Sequence, residues 1–284
     1  MSTFKKWFIV LRAYSWPASI VPIIISGVYS YKNGWFNWFD FIFIFIAGLS
    51  IHLGANVLNT YYDYKNNIDD ENSDDIGIVK KFISADTAFK LGYGLILIGV
   101  FIGMFLVFKY SLYSFLPIAI IGVLLAIFYT ANPVSLKYRA FGELVIFLCF
   151  GPLIVSGSVM IMAKRFVLES VALSIPAALL IVDILLANNI RDDKSDSEKG
   201  IKTIVDILGI NLSRYIYIFL LFLSYISALV FLNFSTSSLV LLLSILVVYE
   251  IFKLLKKQDY GSVVRKTAQL VLIFGILFSI AIIL

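Results

Sequence analysis

The chain has little of what builds reactive centres in soluble proteins. Cys149 is its one cysteine, so neither an intrachain disulfide nor a cysteine metal cluster is available. His52 is its one histidine, which excludes His-rich metal sites and haem held by two histidines. Charged residues are only 14% of the 284 residues, against about 25% in a soluble domain. What is plentiful is apolar: 61% of the chain is hydrophobic, and the 25 Phe outnumber the 23 Lys and Arg together. A chain this long still exposes about a quarter of its unfolded surface. So much apolar surface cannot be hidden in one core, which excludes an ordinary cytosolic globule and a disordered chain. The long unbroken apolar runs predict an all-α integral membrane protein.

Nine spans are predicted, at 16–32, 40–62, 88–108, 112–131, 141–163, 168–190, 213–232, 236–254 and 266–284. Each is near the ~20 residues that cross a bilayer core. The expected architecture is one polytopic domain over 1–284, a bundle of nine transmembrane helices with two polar cytoplasmic cap loops, 63–87 and 191–212. With nine spans the termini lie on opposite sides. Only Lys32, Lys109, Lys164 and Arg165 then fall on one side; the other 19 of the 23 cations fall on the other. That bias predicts a cytoplasmic N terminus and an outside C terminus in the cell membrane. The basic, amphipathic start MSTFKKWFIVLRAYS has no small-residue cleavage site and does not read as a signal peptide. Orientation accounts for the basic residues in the short loops, so nucleic acid is not expected as a partner. Nothing calls for an obligatory protein partner either.

The acidic residues are placed as unevenly. Segments 63–87 and 191–212 hold 12 of the 18 carboxylates. Running into them, Asn59, Asp63 and Asn67 are four apart, and so are Asn188, Asp192 and Asp196. On a helix such residues share one face. Each segment is expected to continue a transmembrane helix past its cytoplasmic end, so that the active site faces the cytoplasm. Asp69 adds a carboxylate one turn on, with Asp70 alongside; Glu71, Asp74 and Asp75 suit a solvated turn. Stacked carboxylates repel unless a cation compensates them. All-oxygen donors select hard ions such as Mg²⁺ or Ca²⁺, and Mg²⁺ takes one or two carboxylates plus phosphates and water. Arg191, Lys199 and Lys202 flank the second face, Lys80 and Lys81 follow the first, and Lys137 and Arg139 lie in the next inside loop. Cations mixed with such carboxylates suit a polyphosphate anion.

These two faces resemble the paired Asp-rich motifs of the UbiA superfamily of intramembrane prenyltransferases. Asn56, Asn59, Asp63 and Asp69 match its first motif in the menaquinone-branch form, and Asp192 and Asp196 its second. The blocks ANNIRD, KGIKT, YTANPVSLKYRAFGELVIFLCFGPLIVSGS and LRAYSWPASIVP, the last carrying Arg12, are similar to that branch as well. The likeness covers most of 11–205. Thr60 departs from the usual Asp, Asn67 from the usual Gly, and Ala140 stands where Gly is common.

The resemblance implies a Mg²⁺-dependent transferase that ionises an allylic polyprenyl diphosphate and alkylates an aromatic ring. Asn59, Asp63 and Asp69 would hold one ion, and Asp192 with Asp196 the other, with Asp63, Asp192 and Asp196 carrying catalysis. Lys137, Arg191, Lys199 and Lys202 would bind the diphosphate. Tyr129 or Tyr62 would face the allylic cation. Asn56, Asn67, Asn188, Asp183, Arg12 and Lys81 are further candidates. Asp183 is included because carboxylates within a membrane are functional by default. Glu143 matches the family's Gly-Glu, as a helix-end contact or a chemical group. His52 and Cys149 read as packing residues. The menaquinone-like blocks favour 1,4-dihydroxy-2-naphthoate as acceptor. Alternatives are 4-hydroxybenzoate, homogentisate or geranylgeranylglyceryl phosphate, and, from another class, a divalent cation transporter.

Overall fold

The computed structural model describes residues 2–69 and 77–284. Twelve helices follow one another there: α1 (Thr3–Val10), α2 (Pro17–Lys32), α3 (Trp38–Lys65), α4 (Ala85–Lys109), α5 (Leu116–Phe128), α6 (Gly142–Leu148), α7 (Ile154–Ala163), α8 (Glu169–Glu198), α9 (Ile204–Leu208), α10 (Ile210–Phe231), α11 (Ile245–Lys257) and α12 (Tyr260–Ile283). Among the described residues there is no strand, only a single bridge between Arg139 and Lys202.

A helix lies at each of the nine expected spans, but they are not equal. Seven are long and apolar enough to cross a membrane. An eighth results only if α1 and α2, bent by 54°, count as one span, and the segment expected at 112–131 is the shorter helix Tyr113–Phe128. The α1–α2 bend falls at Arg12, which takes the left-handed conformation (φ 49). The second cap loop is also corrected. Most of 191–212 is helical, because α8 continues to Glu198 and α9 follows.

Local chemistry explains the ends and breaks. Asn37 caps α3, its Oδ1 accepting from Phe39 N at 2.9 Å and Asp40 N at 3.2 Å, and Ser84 caps α4. Between α6 and α7 the helix widens into one π turn, Cys149–Leu153, around Pro152. Proline has no N–H to donate there, and its ring crowds the preceding turn. The same turn lets α8 come close: a Cβ on Gly151 would stand 2.7 Å from the Ala178 Cβ.

The most enclosed long helix is α8. It packs against α10, α12, α6 and α7, and α2 bridges α3, α7 and α12. Short polar bonds join these helices where lipid offers no hydrophobic drive. Ser224 donates to the Pro176 carbonyl at 2.8 Å, and the Tyr217 hydroxyl lies 2.6 Å from the Thr267 Oγ1. The α3–α4 hairpin is the tightest pair. A Cβ on Gly54 would meet the Gly92 carbonyl oxygen at 2.6 Å and one on Gly99 the Ala47 carbonyl at 2.7 Å.

The two ends of the bundle differ. The C-terminal ends of α3 and α8 carry the carboxylate faces. At the other end, buried Asp40 pairs with Lys164, lies 3.9 Å from the Lys109 Nζ, and accepts from the Tyr110 hydroxyl at 2.6 Å. Arg165 lies over the Trp35 ring and Lys32 donates to the Ile282 carbonyl. All four cations of the sparsely basic side are thus engaged in tertiary contacts.

Replacing Gly54 with Val should force α3 from α4 and lower the thermal midpoint in detergent, by the equivalent of about 1–3 kcal/mol. An unchanged midpoint would show that the hairpin opens without cost.

Candidate active site

The first carboxylate face is built by the last turns of α3. Asn59 and Asp63, at i and i+4, are both buried, 7% and 2% exposed. The helix stops at Lys65, and Asn67 takes the left-handed conformation (φ 57). Asn67 therefore leaves the face on which the four-residue spacing had put it. It acts as a helix stop, a position that favours Gly and then Asn. The chain folds back from there, so that Ile68 N donates to the Asp63 carbonyl at 2.8 Å and Asp69 N reaches it at 3.4 Å. This brings Asp69 over the end of α3. Asp70, Glu71, Asp74 and Asp75 lie outside the described residues.

Both oxygens of Asp63 are engaged. Lys137 Nζ donates to Oδ2 at 2.8 Å and to the Asn59 Oδ1 at 3.3 Å. The Tyr138 hydroxyl donates to Oδ1. Burial, and then the Asp63 charge, push the Tyr138 phenol well above its ordinary range, so it serves as a donor. The loop that carries these residues is held at both ends. Lys137 N donates to the Tyr129 carbonyl at 2.8 Å, and Ala140 N donates to the Lys202 carbonyl at 2.8 Å. Ala140 has φ 59, a conformation that crowds a Cβ against the next carbonyl.

The second face keeps its predicted geometry. Asn188, Asp192 and Asp196 all lie on α8. Arg191 forms a two-point pair with Asp192, both contacts 2.7 Å. Lys199 Nζ donates to the Ile68 carbonyl at 2.6 Å, tying α8 to the segment after α3. Lys137, already bound to Asp63, also acts electrostatically on Asp196, as do Asp192 and Lys199. The two faces are therefore joined through Lys199 and Ile68.

Other candidates are distributed unevenly. The exposed Lys202 contributes its backbone to the bridge with Arg139, and its side chain lines a shallow hollow with Ser197, Gly200 and Asp206. Burial alone would raise the Asp206 carboxyl, but donors from Ser197 and Thr203 hold it below its ordinary range. Lys81 is exposed and lines a separate hollow with Tyr64 and Phe82. The Tyr129 carbonyl accepts from the backbone N of Lys137 at 2.8 Å, which places Tyr129 beside the first face. Tyr62 instead meets the Tyr93 hydroxyl at 3.2 Å. Asp183 is fully buried on α8 and neither of its oxygens has a partner among the described residues.

His52 proves to be a packing and bonding residue. Its Nδ1 lies 2.9 Å from the Ser19 Oγ and its Nε2 3.2 Å from the Asn56 Nδ2, with Phe150 edge-on. Asn56 gives its other N–H to the Ser15 Oγ at 2.8 Å. Cys149 is partly buried in the π turn.

Sequence reasoning missed Tyr138, whose only signal was its place beside Lys137. It also missed the Ile68 carbonyl, for which a sequence carries no signal. Among the described residues, no three Asp, Glu, His or Cys side chains gather closely enough to hold a metal by themselves. The available donors are hard oxygens on two faces, interleaved with cations. That set suits Mg²⁺ completed by phosphate oxygens rather than a closed protein cage.

Comparison with known proteins identifies the family. Residues 19–281 match the UbiA prenyltransferase family. The chain belongs to that family. It is therefore a prenyltransferase. Among relatives of this UbiA-family chain, human UbiA prenyltransferase domain-containing protein 1 is 30% identical over 98% of the chain and 83% of its own length. Its Drosophila melanogaster homolog is 31% identical over 98% and 79%. Of solved structures, the apo UbiA homolog from Aeropyrum pernix K1 aligns with TM-score 0.70 at 15% identity, covering 93% of this chain and 96% of that one. The Archaeoglobus fulgidus UbiA homolog bound to GPP and Mg²⁺ aligns with TM-score 0.68 at 14% identity, covering 98% and 99%. These two share the fold.

The family's Gly positions explain two local strains. Ala140→Gly should raise the thermal midpoint by the equivalent of about 1 kcal/mol, and Asn67→Gly by less, since Asn tolerates this conformation better than Ala. A midpoint that falls with Ala140→Gly would overturn the strain at 140.

Proposed function

We propose that this prenyltransferase transfers a polyprenyl group from an allylic polyprenyl diphosphate to an aromatic acceptor in the membrane, releasing pyrophosphate. The observation that carries this reading is the bond from Lys199 on the second carboxylate face to the Ile68 carbonyl, which follows the first face. The Archaeoglobus fulgidus relative, bound to GPP and Mg²⁺, supports the same donor chemistry. The reading covers 1–284 as a single domain with nine crossings, a cytoplasmic N terminus and site, and an outside C terminus in the cell membrane.

Mg²⁺ would supply neutralisation of the leaving pyrophosphate. Asn59, Asp63 and Asp69 would hold it on one face, Asp192 and Asp196 on the other. Lys137 and Arg191 now occupy those carboxylates and would turn to phosphate oxygens when the donor arrives; Lys199 lies beside them, and Lys202 is the outermost of the set. Tyr129, beside Asp63, would place its ring along the allylic cation. The apolar helices exclude water, which would otherwise quench that cation.

For the acceptor, the menaquinone-like blocks support 1,4-dihydroxy-2-naphthoate. 4-Hydroxybenzoate and homogentisate are the aromatic rivals. A glyceryl phosphate lipid is a second reading, favoured by the likeness at TM-score 0.68 and 22% identity to a structure described as digeranylgeranylglyceryl phosphate synthase. Membership of a transferase family sets aside the cation transporter.

The test is prenyl transfer by the full chain in lipid, given Mg²⁺, geranylgeranyl diphosphate and a panel of acceptors, with products identified by mass. A Mg²⁺-dependent prenylated naphthoquinol is expected. Asp63→Ala and Asp192→Ala should each lower turnover at least about 100-fold, near 2.7 kcal/mol of barrier. Full Mg²⁺-dependent activity in both variants would overturn the metal assignment.

A further inference from the structure

Glu143 has a use that the diphosphate site does not absorb. It stands at the start of α6, and its Oε1 accepts from the Asn189 Nδ2 at 2.8 Å. Its Oε2 is shut off from solvent and has no hydrogen-bond partner among the described residues. An oxygen buried in this way keeps its full desolvation penalty unless a ligand supplies a donor. Lys137 and Tyr138 are committed to Asp63, and Asn189 to the other oxygen of Glu143 itself.

The position fits an acceptor. Asn189 lies three residues before Asp192 on α8, so Glu143 sits about one helical turn deeper than Asp192, level with Asn188. Tyr129, whose carbonyl accepts from Lys137 N at 2.8 Å, links this position to the first face. Gly142 keeps the space open beside it; a Cβ there would stand 3.3 Å from the Leu185 Cδ2 and 3.6 Å from the Tyr129 Oη.

Resting on the function proposed above, we infer that Glu143, oriented by Asn189, binds the ring hydroxyl of a hydroxylated aromatic acceptor through its Oε2. A carboxylate accepting from a ring hydroxyl increases electron density at the ortho and para carbons, which are those that attack an allylic cation. The contact thus places the ring and selects hydroxylated over hydroxyl-capped acceptors. A site built to bond a hydroxyl rejects its capped analogue, because the buried oxygen is then left unpaired.

The test compares the parent with Glu143→Gln, which keeps the acceptor for Asn189 but offers an N–H₂ where the Oε2 was. The full chain in lipid receives Mg²⁺ and geranylgeranyl diphosphate. Acceptors are 1,4-dihydroxy-2-naphthoate, its mono-O-methyl ethers and a geranylgeranylglyceryl phosphate. The parent should favour the dihydroxy compound over at least one ether by roughly tenfold or more in kcat/KM. Glu143→Gln should raise the KM for the dihydroxy compound roughly tenfold and erase that preference, with donor affinity in equilibrium binding unchanged. Asn189→Ala should show the same pattern more weakly, and it decides the matter if Glu143→Gln does not fold. An active parent whose acceptor KM and preference survive in the variants overturns the role of Glu143 alone. A parent that prenylates only the glyceryl phosphate lipid, or nothing, overturns the aromatic reading and this inference with it.

Discussion

The site depends on one buried carboxylate being held by two neighbours in the chain. Asp63, 2% exposed, receives the Lys137 ammonium on one oxygen and the Tyr138 hydroxyl on the other. A charge buried so deeply must be paired or it is strongly destabilising. The pairing fixes the loop after α5 over the end of α3, and that loop in turn carries Ala140 to the backbone of Lys202 beyond α8. Three distant stretches of chain thereby enclose one small volume.

Ion pairing also offsets the repulsion between the two acidic faces. Lys137 acts on Asp196 as well as Asp63, and Arg191 spans both oxygens of Asp192.

The opposite end of the bundle shows how membrane orientation and packing combine. The sparsely basic side holds four cations, and each is used: two on Asp40, one on a backbone carbonyl, one over an indole. Lys164 also lies 3.3 Å from the centre of the Tyr110 ring. Cations engaged in this way hold helix ends together. The cations of the other end include Lys137 and Arg191, which pair with the acidic faces.

Much of the protein was legible from its residues. Apolar runs of membrane length determined an all-helical membrane fold, and two four-residue spacings located Asp63, Asp192 and Asp196, because helical periodicity is local. Lys137 was legible from its motif block. The tertiary structure decided what local rules cannot reach. It ended α3 early and turned Asn67 off its face, since a helix stop depends on where the following chain must go. It carried α8 on to Glu198, into an expected loop, because α8 packs on several neighbours at once. It shortened the span at 112–131 and bent the first one at Arg12. It also chose the partners: Tyr138 for Asp63, the Ile68 carbonyl for Lys199 and Asn189 for Glu143. Spacing along one helix places a side chain on a face, but only the packing of separate helices determines which oxygen it meets there.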